Sequence, residues 1–150
     1  MATTPPPADP PSHGRRILVG YDGSPPSARA LHLALGLARQ TGGEMWVVYA
    51  SSPPPVVAEP RPDEEQGLES LAVEHVLREA QAAAQTYGVR LTVRIRDGRP
   101  VRLLLETASE VNADLVVLGT RGLRGAGRLV LGSVSSSVIA ESNLPVLVVP

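Results

Sequence analysis

Several residue types are missing from this chain, and each absence excludes a class of chemistry. The 150 residues contain no cysteine, so disulfides, thiol catalysis and thiolate metal sites are excluded. All 14 basic residues are arginine, which removes the lysine of a Walker A loop and any Schiff-base chemistry. The three histidines, His13, His32 and His75, lie far apart and form no metal-binding motif.

Long apolar runs and a strong excess of charge are missing as well. No run approaches the length of a transmembrane helix, and a net charge of −1 does not indicate a nucleic-acid or anionic-membrane partner. Residues 1–14 are rich in proline, which favours extended backbone, and they lack the apolar core of a signal peptide. We expect a disordered tail over residues 1–14, one domain over residues 15–150 and a cytoplasmic location.

Short apolar runs alternate with amphipathic helical segments along the rest of the chain. This alternation predicts an α/β fold with a parallel sheet and helices on both faces. The third run alternates apolar and polar residues, which is typical of a sheet edge, so its arginines are interpreted as solvated charges. The five predicted strands are residues 15–21, 44–50, 89–96, 114–118 and 146–149.

A glycine-rich segment from Gly119 to Ser135 joins the fourth predicted strand to a short helix. Such a connection can bind phosphate through backbone N–H groups at the amino end of the helix. Glycine suits Gly119, Gly122 and Gly132 where backbone must approach a ligand closely. Ser133 is the predicted N-cap of the helix, and its hydroxyl could also reach a phosphate oxygen.

Asp22 follows the first strand and could face this glycine-rich segment. If strands one to three extend in one direction and strands four and five in the other, strands one and four are neighbours and their carboxyl ends meet. A nucleotide site is then possible, with Asp22 on ribose hydroxyls or on a magnesium ion shared with phosphates. The alternative is that Asp22 caps a turn, the glycines form a surface excursion and the serines are ordinary caps.

The same residues resemble the universal stress protein family. Its Gly-x-x-Gly-(nine residues)-Gly-[Ser/Thr] signature is matched by Gly119, Gly122, Gly132 and Ser133, and the segments 17–24 and 142–150 are similar to the two ends of the family's domain. The resemblance implies an open five-stranded parallel sheet in the order 3-2-1-4-5. It also implies membership of the branch that binds ATP, and a homodimer formed by pairing the fifth strand, residues 146–149, across a two-fold axis.

The resemblance also implies the roles of individual residues. Asp22 would contact the nucleoside or its metal, Ala50 would offer backbone to adenine with Tyr21 and Leu118 nearby, and the glycine motif would hold ribose and phosphates. The nucleotide-binding residues implied are Gly20, Tyr21, Asp22, Ala50, Leu118, Gly119, Gly122, Gly132, Ser133, Val134 and Ser135.

Arg121, Arg124 and Arg128 lie within the glycine motif. One of them, Arg121 first, could neutralise phosphate charge in place of a lysine, and solvent-facing loop arginines are the alternative. The sequence does not distinguish ATP from AMP or cyclic AMP. Since no histidine or second carboxylate lies near the motif, we expect a regulatory protein with slow or no turnover. The alternatives are a weak ATPase or adenylate-dependent enzyme, and a dimerisation module that binds no nucleotide.

Overall fold

The computed structural model describes residues 15–51, 63–120 and 131–150, in which strands and helices alternate. The strands are β1 (Arg16–Gly20), β2 (Glu44–Ser51), β3 (Arg90–Asp97), β4 (Leu115–Gly119) and β5 (Val146–Val149). The helices are α1 (Pro25–Thr41), α2 (Asp63–Tyr87), α3 (Pro100–Glu110) and α4 (Ser133–Glu141). The proline-rich tail, the proline-rich connection after β2 and the middle of the glycine motif lie outside the described residues.

All five strands belong to one parallel sheet with the order β3-β2-β1-β4-β5. This order confirms the predicted fold, with β1 at the centre between β2 and β4. Successive strands run outward from β1 to β3, and the chain then crosses to the opposite side for β4 and β5. The strand order therefore reverses between β1 and β4, which is where ligands bind in open α/β sheets.

The central strands are apolar throughout because helices cover both faces of the sheet. In β1, Ile17 and Val19 pack with α1 and α2, whereas Leu18 between them packs with α3 and α4. All three side chains are fully buried. The protein therefore has one core layer on each face of the sheet, and both layers share β1.

The edge strands differ from the central ones and from each other. The strand order places β3 at the sheet edge and confirms that prediction. Exposed and partly buried residues alternate up to Val93, after which Arg94 and Arg96 are partly buried and Ile95 is exposed. Two of its arginines, Arg94 and Arg96, form ion pairs with Glu110 at the end of α3 at 2.5 and 2.8 Å. In β5, all four residues are apolar and partly buried.

The start of α1 shows how local sequence positions the turn after β1. Ser24 is the N-cap and its hydroxyl accepts a hydrogen bond from the Ser27 amide at 3.4 Å, while Pro25 takes the first helical position. Gly42 ends the helix in the left-handed conformation, at φ 64°.

None of the helices in the described residues combines the length and the apolar character needed to cross a membrane.

Candidate functional site

The candidate site lies at the carboxyl ends of the two central strands, β1 and β4. The strands pair in parallel with Val19 opposite Val117, and they end on Gly20 and Gly119. Because the helices that follow these two strands, α1 and α4, pack on opposite faces of the sheet, a crevice opens between the strand ends. This is the position at which the sequence placed the Asp22 turn and the glycine motif together.

A cavity of about 300 Å³ occupies this crevice. Small-molecule sites in proteins typically have volumes of about 300–1,000 Å³, so the cavity has the size of a modest ligand site. The described residues that line it are Gly20, Tyr21, Asp22, Ser24, Ser27, Val48, Tyr49, Ala50, Pro100, Leu104, Leu118, Gly119, Thr120, Gly132, Val134 and Ser135.

Packing around the cavity favours glycine at the end of β1, where a Cβ would meet a movable side chain, and requires it at the end of β4, where a Cβ would meet backbone. A Cβ on Gly20 would lie 2.6 Å from the Leu118 side chain, and a Cβ on Gly119 would lie 2.5 Å from the backbone of Pro26 and Ser27. Glycine at position 119 thus lets the first turn of α1 pack directly against the end of β4. The sequence interpretation assigned this glycine to ligand approach and did not include the constraint from α1.

Three helices direct their amino ends toward the cavity. Ser24 and Ser27 come from the start of α1, Pro100 begins α3, and Gly132 precedes α4. The aligned peptide dipoles place about half a positive charge at each of these ends. First-turn N–H groups without an intrahelical acceptor are present in α4, whereas Pro25, Pro26 and Pro100 have no N–H and the Ser27 amide donates to the Ser24 hydroxyl. The backbone around the cavity therefore favours an anionic ligand, although none of the arginines in the described residues lines it.

Asp22 is the one charged side chain among the described residues that line the cavity. It is exposed, and its Oδ1 accepts a hydrogen bond from the Ser24 amide at 2.9 Å. This bond fixes the turn between β1 and α1, so the capping role considered for Asp22 is present. The two oxygens of a carboxylate together have about four lone-pair sites, so a carboxylate that caps a turn can also accept hydrogen bonds from a ligand.

Tyr21, the residue before Asp22, is held at both its ends. Its amide donates to the Val48 carbonyl at 3.0 Å, and its hydroxyl donates to Glu79 Oε2 on α2 at 2.5 Å. Burial, followed by the hydrogen bond and negative charge of Glu79 and by the charge of Asp22, raises the pKa of Tyr21 above its ordinary value. The phenol is therefore neutral at physiological pH and serves as a hydrogen-bond donor.

At the start of α4 the structure corrects the predicted cap. Gly132, with φ −66° and ψ 165°, is the N-cap and makes no side-chain hydrogen bond, whereas Ser133 is the first helical residue and is exposed. Ser135 is buried, and its hydroxyl donates to the Gly119 carbonyl at 3.0 Å. A hydroxyl has a single hydrogen, so Ser135 joins α4 to the end of β4 in this structure and offers a ligand only acceptor capacity.

The structure brings most of the sequence-predicted residues together around the cavity. Those that line it are Gly20, Tyr21, Asp22, Ala50, Leu118, Gly119, Gly132, Val134 and Ser135. Ser133 is not among the lining residues. Arg121 and Gly122 lie outside the described residues, as do Arg124 and Arg128. The ligand-binding roles of all these residues remain predictions.

Sequence reasoning missed several residues of the cavity wall. Ser24, Ser27, Val48, Tyr49, Pro100, Leu104 and Thr120 line it but were not predicted. Most of them lie near the end of a strand or the start of a helix. Knowledge of which residues pair between the parallel strands would have identified some of them; Val48, for example, lies opposite Gly20. Leu104 comes from the second turn of α3, and its contribution depends on how that helix packs across the sheet.

Comparison with known proteins places this geometry in a family. The sequence profile of the universal stress protein family matches residues 14–150. The chain belongs to this family. A universal stress protein of Thermus aquaticus is 39% identical over 136 residues, and the match covers 90% of this chain and 98% of that protein.

Two solved universal stress proteins with this fold hold nucleotides. One is a universal stress protein in complex with cAMP, which is 32% identical, has a TM-score of 0.69 and is matched over 93% of this chain and 98% of its own. The other, from Archaeoglobus fulgidus, is in complex with dAMP and is 25% identical, with a TM-score of 0.67 and coverage of 91% and 98%. Nucleotide binding is thus a property of universal stress proteins similar to this one.

Proposed function

We propose that this universal stress protein binds an adenine nucleotide, ATP in the first instance, in the cavity between β1 and β4. The observation that supports this most directly is the convergence of the Asp22 turn with Gly132 at the start of α4 on one cavity. These segments are remote in sequence, and each supplies a different kind of contact. Related proteins that hold cAMP and dAMP support the same class of ligand.

The cavity wall divides into an apolar part and a polar part, which suggests how the nucleotide would lie. Val48, Ala50 and Leu118 form an apolar surface suited to an adenine ring, and the backbone of Ala50 near the end of β2 would form hydrogen bonds to the edge of that ring. The amides of Ser133, Val134 and Ser135 are the first of α4 and have no intrahelical acceptor, so they would bind phosphate. Asp22 would accept from ribose hydroxyls.

Asp22 also fits a shared magnesium ion, although it cannot hold one alone. The described residues contain no group of three or more carboxylate or histidine side chains that could hold a metal. Magnesium in nucleotide sites is commonly bound by one or two carboxylates together with substrate phosphates and water. We therefore propose that any magnesium arrives with the nucleotide and takes at most one ligand, Asp22, from the described residues.

We propose a regulatory role with slow or no turnover. Hydrolysis requires a base or a side chain that positions the attacking water, and the described lining residues provide Asp22 as their one carboxylate and no histidine. A weak ATPase or an adenylate-dependent enzyme is the alternative, which single-turnover hydrolysis with purified protein tests. A rate constant above about 0.01 s⁻¹, the level of a slow but competent NTPase, would favour the enzyme.

The proposal is tested by the nucleotide content of the purified protein and by titration calorimetry with ATP, AMP and cyclic AMP. We expect measurable affinity for the wild type and its loss in Gly132→Arg, because the new side chain would fill the cavity at the start of α4. The φ of Gly132 is −66°, so arginine meets no backbone penalty there. We expect the affinity for nucleotide to fall at least about 100-fold, as when a central residue of a binding site is lost.

The matched control is Gly36→Arg, which adds the same side chain on α1 where a new Cβ meets no atom within 4 Å, and which is not among the cavity residues. Unchanged affinity in Gly132→Arg would place any nucleotide elsewhere. A wild type that binds none of the three nucleotides would favour the third alternative, a dimerisation module.

We also propose that two copies associate through β5. This strand is at the sheet edge, and its four residues are apolar and only partly buried. An apolar edge with unpaired backbone groups favours uncontrolled association unless it is covered, and a two-fold pairing of β5 with a second β5 would cover it.

A further inference from the structure

Thr120, which directly follows β4, has a buried hydroxyl without a hydrogen-bond partner in the part of the chain that the structure describes. The residue is 4% exposed and lines the cavity between β1 and β4. Buried hydroxyl groups in folded proteins are nearly always hydrogen-bonded, because an unpaired one lowers the stability of the fold. At the wall of a cavity, the missing partner can be a bound ligand.

Two other buried polar side-chain atoms among the described residues make no hydrogen bond, and neither belongs to a residue that lines the cavity. Arg16 Nε lies at the opposite end of β1, 3.4 Å from Glu44 Oε1, so its charge is paired. Thr107 lies on α3 and is fully buried. Thr120 therefore differs from both in its position beside the cavity.

The backbone pairing of β4 with β5 shows which face of the sheet Thr120 occupies. The Val116 amide donates to the Pro145 carbonyl at 3.0 Å. The Thr120 amide continues this pairing by donating to the Val149 carbonyl at 2.8 Å. Side chains two residues apart along a strand point to the same face, so Thr120 lies on the face of Leu118, which packs with α3 and α4.

On that face, Thr120 lies beside the start of α4. The Ser135 hydroxyl donates to the carbonyl of Gly119, the residue before Thr120, at 3.0 Å. The strand that would hold the adenine, β2, is separated from β4 by β1. Thr120 therefore borders the part of the cavity in which the phosphates would lie, and not the part proposed for the base.

The hydroxyl can turn toward the cavity without breaking a hydrogen bond. Oγ1 itself is covered in this structure, although the residue lines the cavity. Side chains occupy staggered positions about 120° apart, and a rotation of that size about the Cα–Cβ bond moves Oγ1 to another of these positions. Since the described residues do not hold Oγ1 by a hydrogen bond, a ligand oxygen has no internal acceptor to displace.

We propose that Thr120 is a further ligand-binding residue, whose hydroxyl rotates into the cavity and donates a hydrogen bond to a phosphate oxygen of the nucleotide. The inference rests on the proposed function, because it concerns one contact of the proposed nucleotide. It assigns a binding role to a side chain of the glycine motif, in addition to the backbone groups at the start of α4.

The test is titration calorimetry with magnesium and ATP for the wild type and three variants. Thr120→Val keeps the branched shape and removes the hydroxyl, and it should bind ATP at least about tenfold more weakly, as for the loss of a hydrogen bond to a charged group. Thr120→Ser keeps the hydroxyl and should bind close to the wild type. Thr107→Val is the matched control, because it removes a buried, unpaired hydroxyl away from the cavity, and its affinity should be unchanged.

Phosphorus NMR of bound ATP identifies the group that the hydroxyl contacts. A phosphate signal should move in Thr120→Val and keep its position in Thr107→Val. A loss of affinity with unchanged phosphate signals would place the hydroxyl on the ribose or the base and overturn the proposed contact.

Thermal unfolding without nucleotide separates a binding role from a structural one. Both valine variants replace an unpaired buried hydroxyl by a methyl group, so each should raise the melting temperature, by about 2–4 °C. A lower melting temperature in Thr120→Val would show that the folded protein, with its bound water, already satisfies the hydroxyl. Any loss of affinity would then be a structural effect, and the inference would fail.

The failure of this inference differs from that of the proposed function. A wild type that binds no nucleotide overturns the proposed function, and the Thr120 contact with it. ATP binding of equal strength in the wild type and Thr120→Val overturns the Thr120 contact alone.

Discussion

Gly119 is the residue at which three parts of the molecule meet. Its carbonyl accepts from Ser135 of α4, its position ends β4, and a Cβ there would lie 2.5 Å from the Pro26 carbonyl carbon and the Ser27 amide nitrogen of α1. Backbone atoms cannot move aside as a flexible side chain can. The residue therefore fixes the separation between the starts of two helices that both line the cavity.

Gly119→Ala should destabilise the protein, because the added methyl group forces α1 away from β4. Overpacking of a filled site typically costs about 1–3 kcal/mol. Urea unfolding followed by circular dichroism measures the change in the free energy of unfolding. Gly36→Ala is the matched substitution, in the interior of α1 with no atom within 4 Å of the new Cβ, and it should stabilise by about 0.5–1 kcal/mol. Equal effects of the two substitutions would contradict the steric account.

Some contacts of individual residues in the site could be predicted from the sequence, and others could not. The pattern predicted that Asp22 would lie close to the two ends of the glycine motif, and Asp22, Gly119 and Gly132 line one cavity because parallel strands bring their carboxyl ends to one edge. It placed the cap of α4 at Ser133 because serine is the stronger local capping residue, whereas the structure uses Gly132. It did not find Glu79, because no local pattern tells which residue of a helix will reach a tyrosine 58 positions earlier.

At the scale of elements, the edge strand β3 is tied to α3 by charge. Arg96 and Arg94 both pair with Glu110 at the end of α3, and the Arg96 hydrogen bond, supported by Arg94, holds the pKa of Glu110 below its usual value of 4.5. The alternating pattern of β3 was enough to predict an edge. The partner of its arginines was not predictable, because it depends on how α3 crosses the sheet.

This ion-pair group predicts a change in stability with pH. Folding lowers the pKa of Glu110, so its carboxylate stabilises the folded protein at pH values above the pKa of the unfolded chain, near 4.5. This contribution is lost as the pH falls through the lower pKa of the folded state. Glu110→Gln should therefore be less stable than the wild type at neutral pH, and the difference should diminish below about pH 4.5. Thermal unfolding across the acid range measures it.

Glu106→Gln serves as the comparison for this prediction. The Glu106 partner, Arg102, lies on the same helix, so the substitution leaves the link between β3 and α3 in place. A difference between Glu110→Gln and the wild type that stays constant from neutral to acid pH would show that the charge of Glu110 is not responsible.

At the scale of the whole molecule, the backbone of β5 determines whether two copies can pair. The Pro145 carbonyl accepts a hydrogen bond from the Val116 amide of β4, and the Val149 carbonyl accepts one from the Thr120 amide directly after β4. In a parallel strand, bonds to one neighbour come from alternate residues, so the N–H and C=O groups of Val146 and Val148 face away from β4. These are the groups that a second β5 would meet.

Val148→Pro should therefore disrupt association while leaving the pairing with β4 intact. Proline is tolerated on edge strands where its missing N–H would face outward. We expect the wild type to sediment as a dimer at micromolar concentration and the variant to sediment as a monomer, with an affinity at least about tenfold weaker. Val148→Thr keeps the N–H and the branched shape and should remain dimeric. A monomeric wild type, or a variant that dimerises as tightly, would rule out this interface.

The overall architecture was the part most accessible from sequence. Uninterrupted apolar runs such as Ile17–Val19 are long enough for strands, and the segments between them are long enough for crossover helices. Right-handed connections then leave few possible strand orders. The resemblance of the glycine motif to that of universal stress proteins indicated one of these orders. The volume of the cavity and the identity of most of its wall depended on packing that no single segment specifies.

The two outer margins of the sheet have opposite character, and this asymmetry limits how large an assembly can grow. Pairing two copies through β5 would leave β3 at each end of the combined sheet, where Arg90 is exposed and Arg94 and Arg96 pair with Glu110. These ends do not offer an apolar strip like that of β5, because polar residues alternate with the apolar ones in β3. A dimer joined through β5 would therefore not grow further through β3.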